Sequence, residues 1–259
     1  MSAFIVSAGV LLEVGAPSTL TRSTESRAAF TGTIGGKRKG FIRRGGRREW
    51  ALDVSIARPG MVSTIETIAR NGGPVGWYGS DATIGNLLSP QASGFDVPQF
   101  NATDAGLVQL PDGTIARAVV LTGAVSIGTA HGSFEAVPVV PGSRITVSGW
   151  GLGGLRFTGT WRDQTYATTG FLSGTTFTHN GWGFASQTFT VPATASALSI
   201  VVQGATQVAR PAIAWGASAR DELGTGCPVA VIHGATHAPI TLMGAANYSK
   251  TSYQVTEVG

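Results

Sequence analysis

RITVSGWGLGGLRFTGTWRD, residues 144–163, carries two alternating runs on either side of a glycine cluster. In the first run Ile145 and Val147 fall on one face, while Arg144, Thr146, Ser148 and Trp150 share the other; in the second, Leu155, Phe157 and Trp161 have common parity. A period of two specifies a half-buried strand, because a helix would space its apolar residues three and four apart. The spacing Gly149-x-Gly151-x-x-Gly154 formally matches a dinucleotide fingerprint, yet no helix pattern follows it and no βαβ unit surrounds it. The stretch therefore reads as two strands, 144–150 and 155–163, with glycine punctuation between them.

Strand patterns of the same kind recur at 116–121, 133–137, 186–191, 197–202 and 212–215, each bounded by Gly, Pro or Asn. Regular short strands without intervening helices predict a sandwich or jelly roll. Composition agrees: 37 of 259 residues are glycine, 42% are hydrophobic and only 12% are charged, which excludes disordered and coiled-coil classes. A single cysteine, Cys227, excludes an intramolecular disulfide framework and any cysteine-cluster zinc site. The first fifteen residues have an apolar stretch but no basic region before it and no cleavage motif after it, and no apolar run is long enough to span a membrane. A chain without membrane insertion is expected.

The ends differ from the middle. Residues 51–56 alternate, and 60–70 then place Val62, Ile65, Ile68 and Ala69 at helical spacing between Pro59 and Asn71-Gly72-Gly73. SPQASG (89–94) and residues 216–226 read as linkers. Beyond the second linker, strand-like stretches at 228–233, 240–243 and 249–258 are too few to bury a core alone, so they are expected to complete the sheet begun by the N-terminal segment. The expected architecture is mainly β: a discontinuous β-sandwich host domain with one flanking helix (1–90 and 223–259), carrying an inserted β-sandwich of jelly-roll type (91–222).

Two resemblances rest on particular residues. VPGSRITVSGWG (140–151), FTVPATASALSIVVQG (189–204) and VARPAIAWG (208–216) resemble, in order and spacing, the closing strands of a carbohydrate-binding-module jelly roll. REWALDVSI (48–56), the helix with NGGPVGWYG (71–79), and the terminal SYQVTEVG (252–259) resemble a minor or distal tail protein of a long-tailed bacteriophage. The second resemblance implies a virion component, made in the bacterial host cytoplasm, that assembles with copies of itself into a ring on the tail axis. Its expected partners are neighbouring tail proteins, and the inserted sandwich would face outward toward host cell-surface polysaccharide.

Three groups are candidates for function. Lys37, Arg38, Lys39, Arg43, Arg44, Arg47 and Arg48 make up seven of the 18 basic residues and account for the net charge of +4. Glycine punctuates them, and Phe41 is the one aromatic among them, so they read as a docking loop for an adjacent subunit or ring, or as a solvated loop; nucleic acid is not expected as a partner. Trp150, and Trp182 with Phe184 if their strand begins that early, fall on polar strand faces. An aromatic ring amid hydroxyls is what sugar stacking requires; covering a sandwich edge is the competing use. Trp161 and Trp215 read as core. Third, His233-Gly-Ala-Thr-His237 lacks the helix and the intervening Glu of a zinc motif and reads as a hairpin turn. No serine elbow or paired carboxylates announce themselves, so no catalytic residue, metal or cofactor is expected. The reading is a structural tail protein with an adhesion module; the alternative is a stand-alone carbohydrate-binding protein or an accessory module of a polysaccharide hydrolase.

Overall fold

The computed structural model describes residues 3–7, 10–14, 17–24, 28–32, 38–42, 48–128, 135–241 and 247–258. The elements in chain order are β1 (Phe4–Ser7), β2 (Val10–Glu13), β3 (Thr19–Thr24), β4 (Ala28–Gly32), β5 (Arg38–Ile42), β6 (Arg48–Ala57), α1 (Pro59–Asn71), β7 (Val75–Tyr78), α2 (Ser80–Ile84), α3 (Pro90–Ser93), β8 (Ala102–Gln109), β9 (Ile115–Leu121), β10 (Val125–Ser126), β11 (Ala136–Pro138), β12 (Arg144–Arg162), β13 (Thr168–Thr190), β14 (Ala197–Trp215), β15 (Cys227–Thr241) and β16 (Asn247–Glu257). The fold is mainly β and its pairings are antiparallel, as expected. It divides into two compact units, Val14–Val75 with Val229–Gly259 and Ser2–Glu13 with Gly76–Pro228. This division differs from the expected borders at 90/91 and 222/223: residues 2–13, 76–90 and 223–228 go with the middle of the chain.

In the smaller unit the sheet order is β15-β16-β6-β3. β6 alternates as its sequence demands, with Trp50, Leu52 and Val54 buried and Glu49, Ala51 and Ser55 exposed. Its register on β16 sets Trp50 opposite Val255 and Leu52 opposite Tyr253, joining segments about 200 positions apart. Burial pushes the Tyr253 phenol far above its ordinary value. Helix α1 begins at Pro59 and ends where Gly72, at φ 60°, donates its N–H to the Ile68 carbonyl; Val62 and Ile65 are its buried residues.

Two expectations are corrected in this unit. Arg48 does not belong to a contact loop: it opens β6 with 3% exposure, its Nε and Nη2 donate to Glu257 at 2.9 and 2.8 Å, and its guanidinium lies 5.1 Å from the Trp50 ring centroid. Residues 233–237 do not form a hairpin turn. They lie within β15, where Gly234 and Ala235 together oppose Tyr253 in a β-bulge and Gly234 takes φ 63°. His233 Nε2 lies 2.7 Å from Thr256 Oγ1, and His237 Nδ1 pairs with Glu66 of α1 at 2.9 Å.

The larger unit has two sheets, β2-β1-β7 and β13-β12-β14-β9-β8, with β10 and β11 also pairing with β14. The predicted strands at 144–150 and 155–163 are one strand, β12, and those at 197–202 and 212–215 are both parts of β14. Glycine here makes bulges instead of turns. β12 keeps its odd residues Ile145, Val147, Leu155, Phe157 and Trp161 in the core throughout. β14 changes parity instead, burying Val202, then Ala205, then Val208, then Ile213; Gly204 (φ 82°) and Arg210 (φ 47°) take left-handed backbone at the register shifts. Against this core face pack Phe4 and Val6 of β1, Tyr78, and Leu87, Leu88 and Phe95 of the connecting segments. Trp161 is core as expected, and Trp215 packs at the margin with Nε1 donating to the Pro138 carbonyl at 2.9 Å.

The first expected linker is not a linker, and the second is exposed chain only as far as residue 223. In 89–94 Ser89 caps α3 through Ala92 N, and buried Glu135 accepts both Ser89 N–H and Ser89 Oγ–H at 2.7 Å. Fully buried Asn86 donates to the carbonyls of Pro211 and Glu222 and accepts from the amides of Leu88 and Ile213, using its whole hydrogen-bonding capacity. Residues 224–226 lie against this segment, where Gly224 N donates to Ser93 Oγ and Gly226 N to the Leu88 carbonyl. Turn-rich composition thus supplies caps and close backbone approach in a buried strap.

Replacing Arg48 with Ala strands Glu257 beside a buried ring and should lower the unfolding free energy by about 3–5 kcal/mol. Chemical denaturation measures this, and a loss below about 1 kcal/mol would return Arg48 to the surface.

Candidate functional site

The aromatic residues singled out from the sequence come together across the larger sheet. Trp150 of β12 stands directly opposite Phe184 of β13 and Ala209 of β14; Ala209 stands opposite Ala118 of β9, which faces Gly106 of β8. One lateral row therefore runs Phe184, Trp150, Ala209, Ala118, Gly106 on the face away from the main core. The small residues beside Trp150 leave room for the indole, and its ring lies 5.4 Å from that of Phe184 at a tilt of 55°. The adjoining row sets Trp182 opposite Leu152.

The parity assignment holds, but openness does not. Trp150 is only 8% exposed, packed with Leu110, Ala116, Ala118 and Ala209, whereas Trp182 and Phe184 are half-buried around it. Its Nε1 is buried with no hydrogen-bond partner among the described residues, a desolvation cost of about 1–3 kcal/mol. Leu110 reaches this cluster from the β8–β9 turn, where Asp112 accepts from the Thr114 amide and hydroxyl; that hydrogen bond lowers the carboxyl's pKa. Of the rest of the predicted polar face on this half of β12, Arg144 is exposed, while Thr146 and Ser148 are covered. Thr146 Oγ1 donates to the Gly216 carbonyl at 2.8 Å, and Ser148 Oγ binds the carbonyl and amide of Arg220. Trp150 is thus the floor of the aromatic row, and Trp182 and Phe184 are its accessible members.

The other half of the same face was missed in the sequence. There Phe171 of β13 is 79% exposed opposite Thr160. Its signal was present, an aromatic in a run of Thr, Ser and Gly at 168–176, but the pattern assigned no strand there.

Of the basic group, Lys37, Arg43, Arg44 and Arg47 lie outside the described residues, and Arg38 and Lys39 belong to β5, which pairs with β4. Cys227 is buried. Among the described residues no group of three or more His, Cys, Asp or Glu is placed to hold a metal ion, and no helix is long and apolar enough to cross a membrane.

No protein-family model matches the chain, and no curated protein does. Among solved structures it is similar to the enzymatically active domain of bacteriophage CBA120 tailspike protein 4, with 13% identity over 50% of this chain and 21% of that one and a TM-score of 0.37. It is also similar to the CBM22-1 xylan-binding domain from Paenibacillus barcinonensis Xyn10C (15% identity, 53% of this chain, 100% of that one, TM-score 0.34). A third is the VP2 subviral particle of infectious bursal disease virus (10% identity, 99% of this chain, 67% of that one, TM-score 0.22). The chain spans about a fifth of the tailspike chain.

Trp150→Ala should cost about 3–5 kcal/mol of stability, as removal of a buried indole does, while Trp182→Ala should cost far less. Equal losses in denaturant titrations of the two variants would contradict their different burial. Trp182 is therefore the residue to alter in any binding measurement.

Proposed function

We propose that this protein is a structural component of a phage tail, assembling as a ring at the tail tip, and that its larger unit is a carbohydrate-binding β-module for attachment to the host surface. The observation that carries the first half is the pairing of β6 with β16. REWALDVSI and SYQVTEVG, the motifs behind the tail-protein resemblance, are register-matched neighbours in one sheet despite lying some 200 positions apart. What supports the second half is the row of Trp182 and Phe184 over Trp150, half-open aromatic surface of the sort on which a pyranose stacks. Ring symmetry would multiply a weak single-site affinity into avidity. The role is assembly and adhesion, without catalysis.

Two measurements test it. Arg43, Arg44 and Arg47 changed together to Ser, with Arg48 left intact, should give a folded chain that fails to enter assembled particles; normal incorporation counts against the docking role. Trp182→Ala should reduce retention on immobilised host-surface polysaccharide about tenfold at unchanged melting temperature. A persistent monomer that binds polysaccharide would sink the tail assignment and leave a free-standing carbohydrate-binding protein.

A further inference from the structure

The sheet face around Phe171 differs from the covered aromatic row on the same side of β12. Beyond the glycine bulges, β12 turns Arg156, Thr158, Thr160 and Arg162 away from the core, alternating with Leu155, Phe157 and Trp161. Cross-strand register extends this into a grid: Thr158 opposes Ser173, and Thr160 stands between Phe171 and Ser199. The result is a hydroxyl-rich face with one large exposed ring at its edge strand.

Strands β10 to β14 carry charge of one sign only, since none of them contains an Asp or Glu. Arg156 donates from Nε to the Gly174 carbonyl at 3.0 Å and from Nη2 to Ser173 Oγ at 2.8 Å, and no carboxylate lies within ion-pair distance of it among the described residues. Two neutral acceptors thus fix the guanidinium plane without neutralising it, which is the preorganised state for reading an incoming carboxylate. Arg162, on the same face, donates to Ser199 Oγ and the Tyr166 carbonyl.

We propose that this face binds an anionic, carboxylate-bearing polysaccharide, with Phe171 stacking on a sugar ring and Arg156 pairing with a uronate carboxylate. The proposal rests on the carbohydrate-binding reading above and names its ligand class and a separate face. The Arg156 guanidinium reaches Ser173, two residues from Phe171 on β13, so cation and ring lie roughly 7 Å apart at about 3.3 Å per residue, a spacing that suits a stacked sugar ring and a carboxylate on it or on its neighbour. Flatness and hydroxyls suit a glycan chain. Nucleic acid would call for denser cationic charge and several stacking rings, and a protein partner for a larger apolar centre.

The test uses the full chain with oligogalacturonate and oligomannuronate, each beside the same oligosaccharide with its carboxyls reduced to alcohols, by calorimetry at low salt. Binding to at least one uronate, about tenfold tighter than to its reduced counterpart, is expected. Arg156→Gln should abolish that preference, and Phe171→Ala should weaken binding to both forms about tenfold. Both variants should keep the wild-type melting temperature, since Phe171 is exposed and Arg156 only half-buried. Equal affinity for charged and reduced forms, or unchanged binding by both variants, overturns the proposal. If binding instead disappears with Trp182→Ala and survives Phe171→Ala, the ligand face is the other one, and the carbohydrate reading stands without this inference. If no oligosaccharide binds, and the chain is not retained on host polysaccharide either, both fall together.

Discussion

A strand of 19 residues can bury one face along its whole length only if its neighbours adjust to the twist, and in the larger unit that adjustment falls on them. β12 keeps one parity from Ile145 to Trp161. β14 absorbs the mismatch by letting Gly204 and Arg210 take left-handed backbone, and β13 by register shifts opposite Gly153 and Phe157. Core and outer face both follow from this. Odd residues of β12 meet the packed segments on one side, and even residues present Trp150 and then the Arg156 to Arg162 grid on the other.

How far the sequence could be read follows from the same bulges. Period-two alternation located β6, β9 and most of β12 and β14, and proline with Asn-Gly-Gly bounded α1. The joins were illegible because a parity change at a bulge looks like the end of one strand and the start of another. A glycine that opens a bulge and a glycine that closes a turn are identical in sequence, since both are chosen for the same freedom in φ. HGATH was misread in this way: Gly234 opens a bulge inside β15.

Site residues were legible by face and illegible by cover. Strand parity placed Trp150, Trp182 and Phe184 on one side of the sheet, but burial of Trp150 depends on Leu110 arriving from a distant turn and on alanines at 118 and 209. SPQASG and residues 224–226 hid in the opposite sense. Ser, Gly and Pro suggest exposed chain, whereas here they supply a cap for α3 and let backbone approach backbone, with Asn86 and Glu135 satisfying the buried amides. Arg48 was lost among its neighbours for want of any local sign that Glu257 would reach it.

The pairing of β6 with β16 also dictates a timetable. β12, β13 and β14 can zip together within some 70 consecutive residues, while β6, made early, has no strand on its β16 side until β16 is synthesised. A nascent or prematurely terminated chain would carry a finished larger unit beside an open ladder edge bearing Trp50 and Leu52. Translation through β16 is thus what closes that edge, and a chain interrupted before it leaves the β6 ladder open to aggregation or proteolysis.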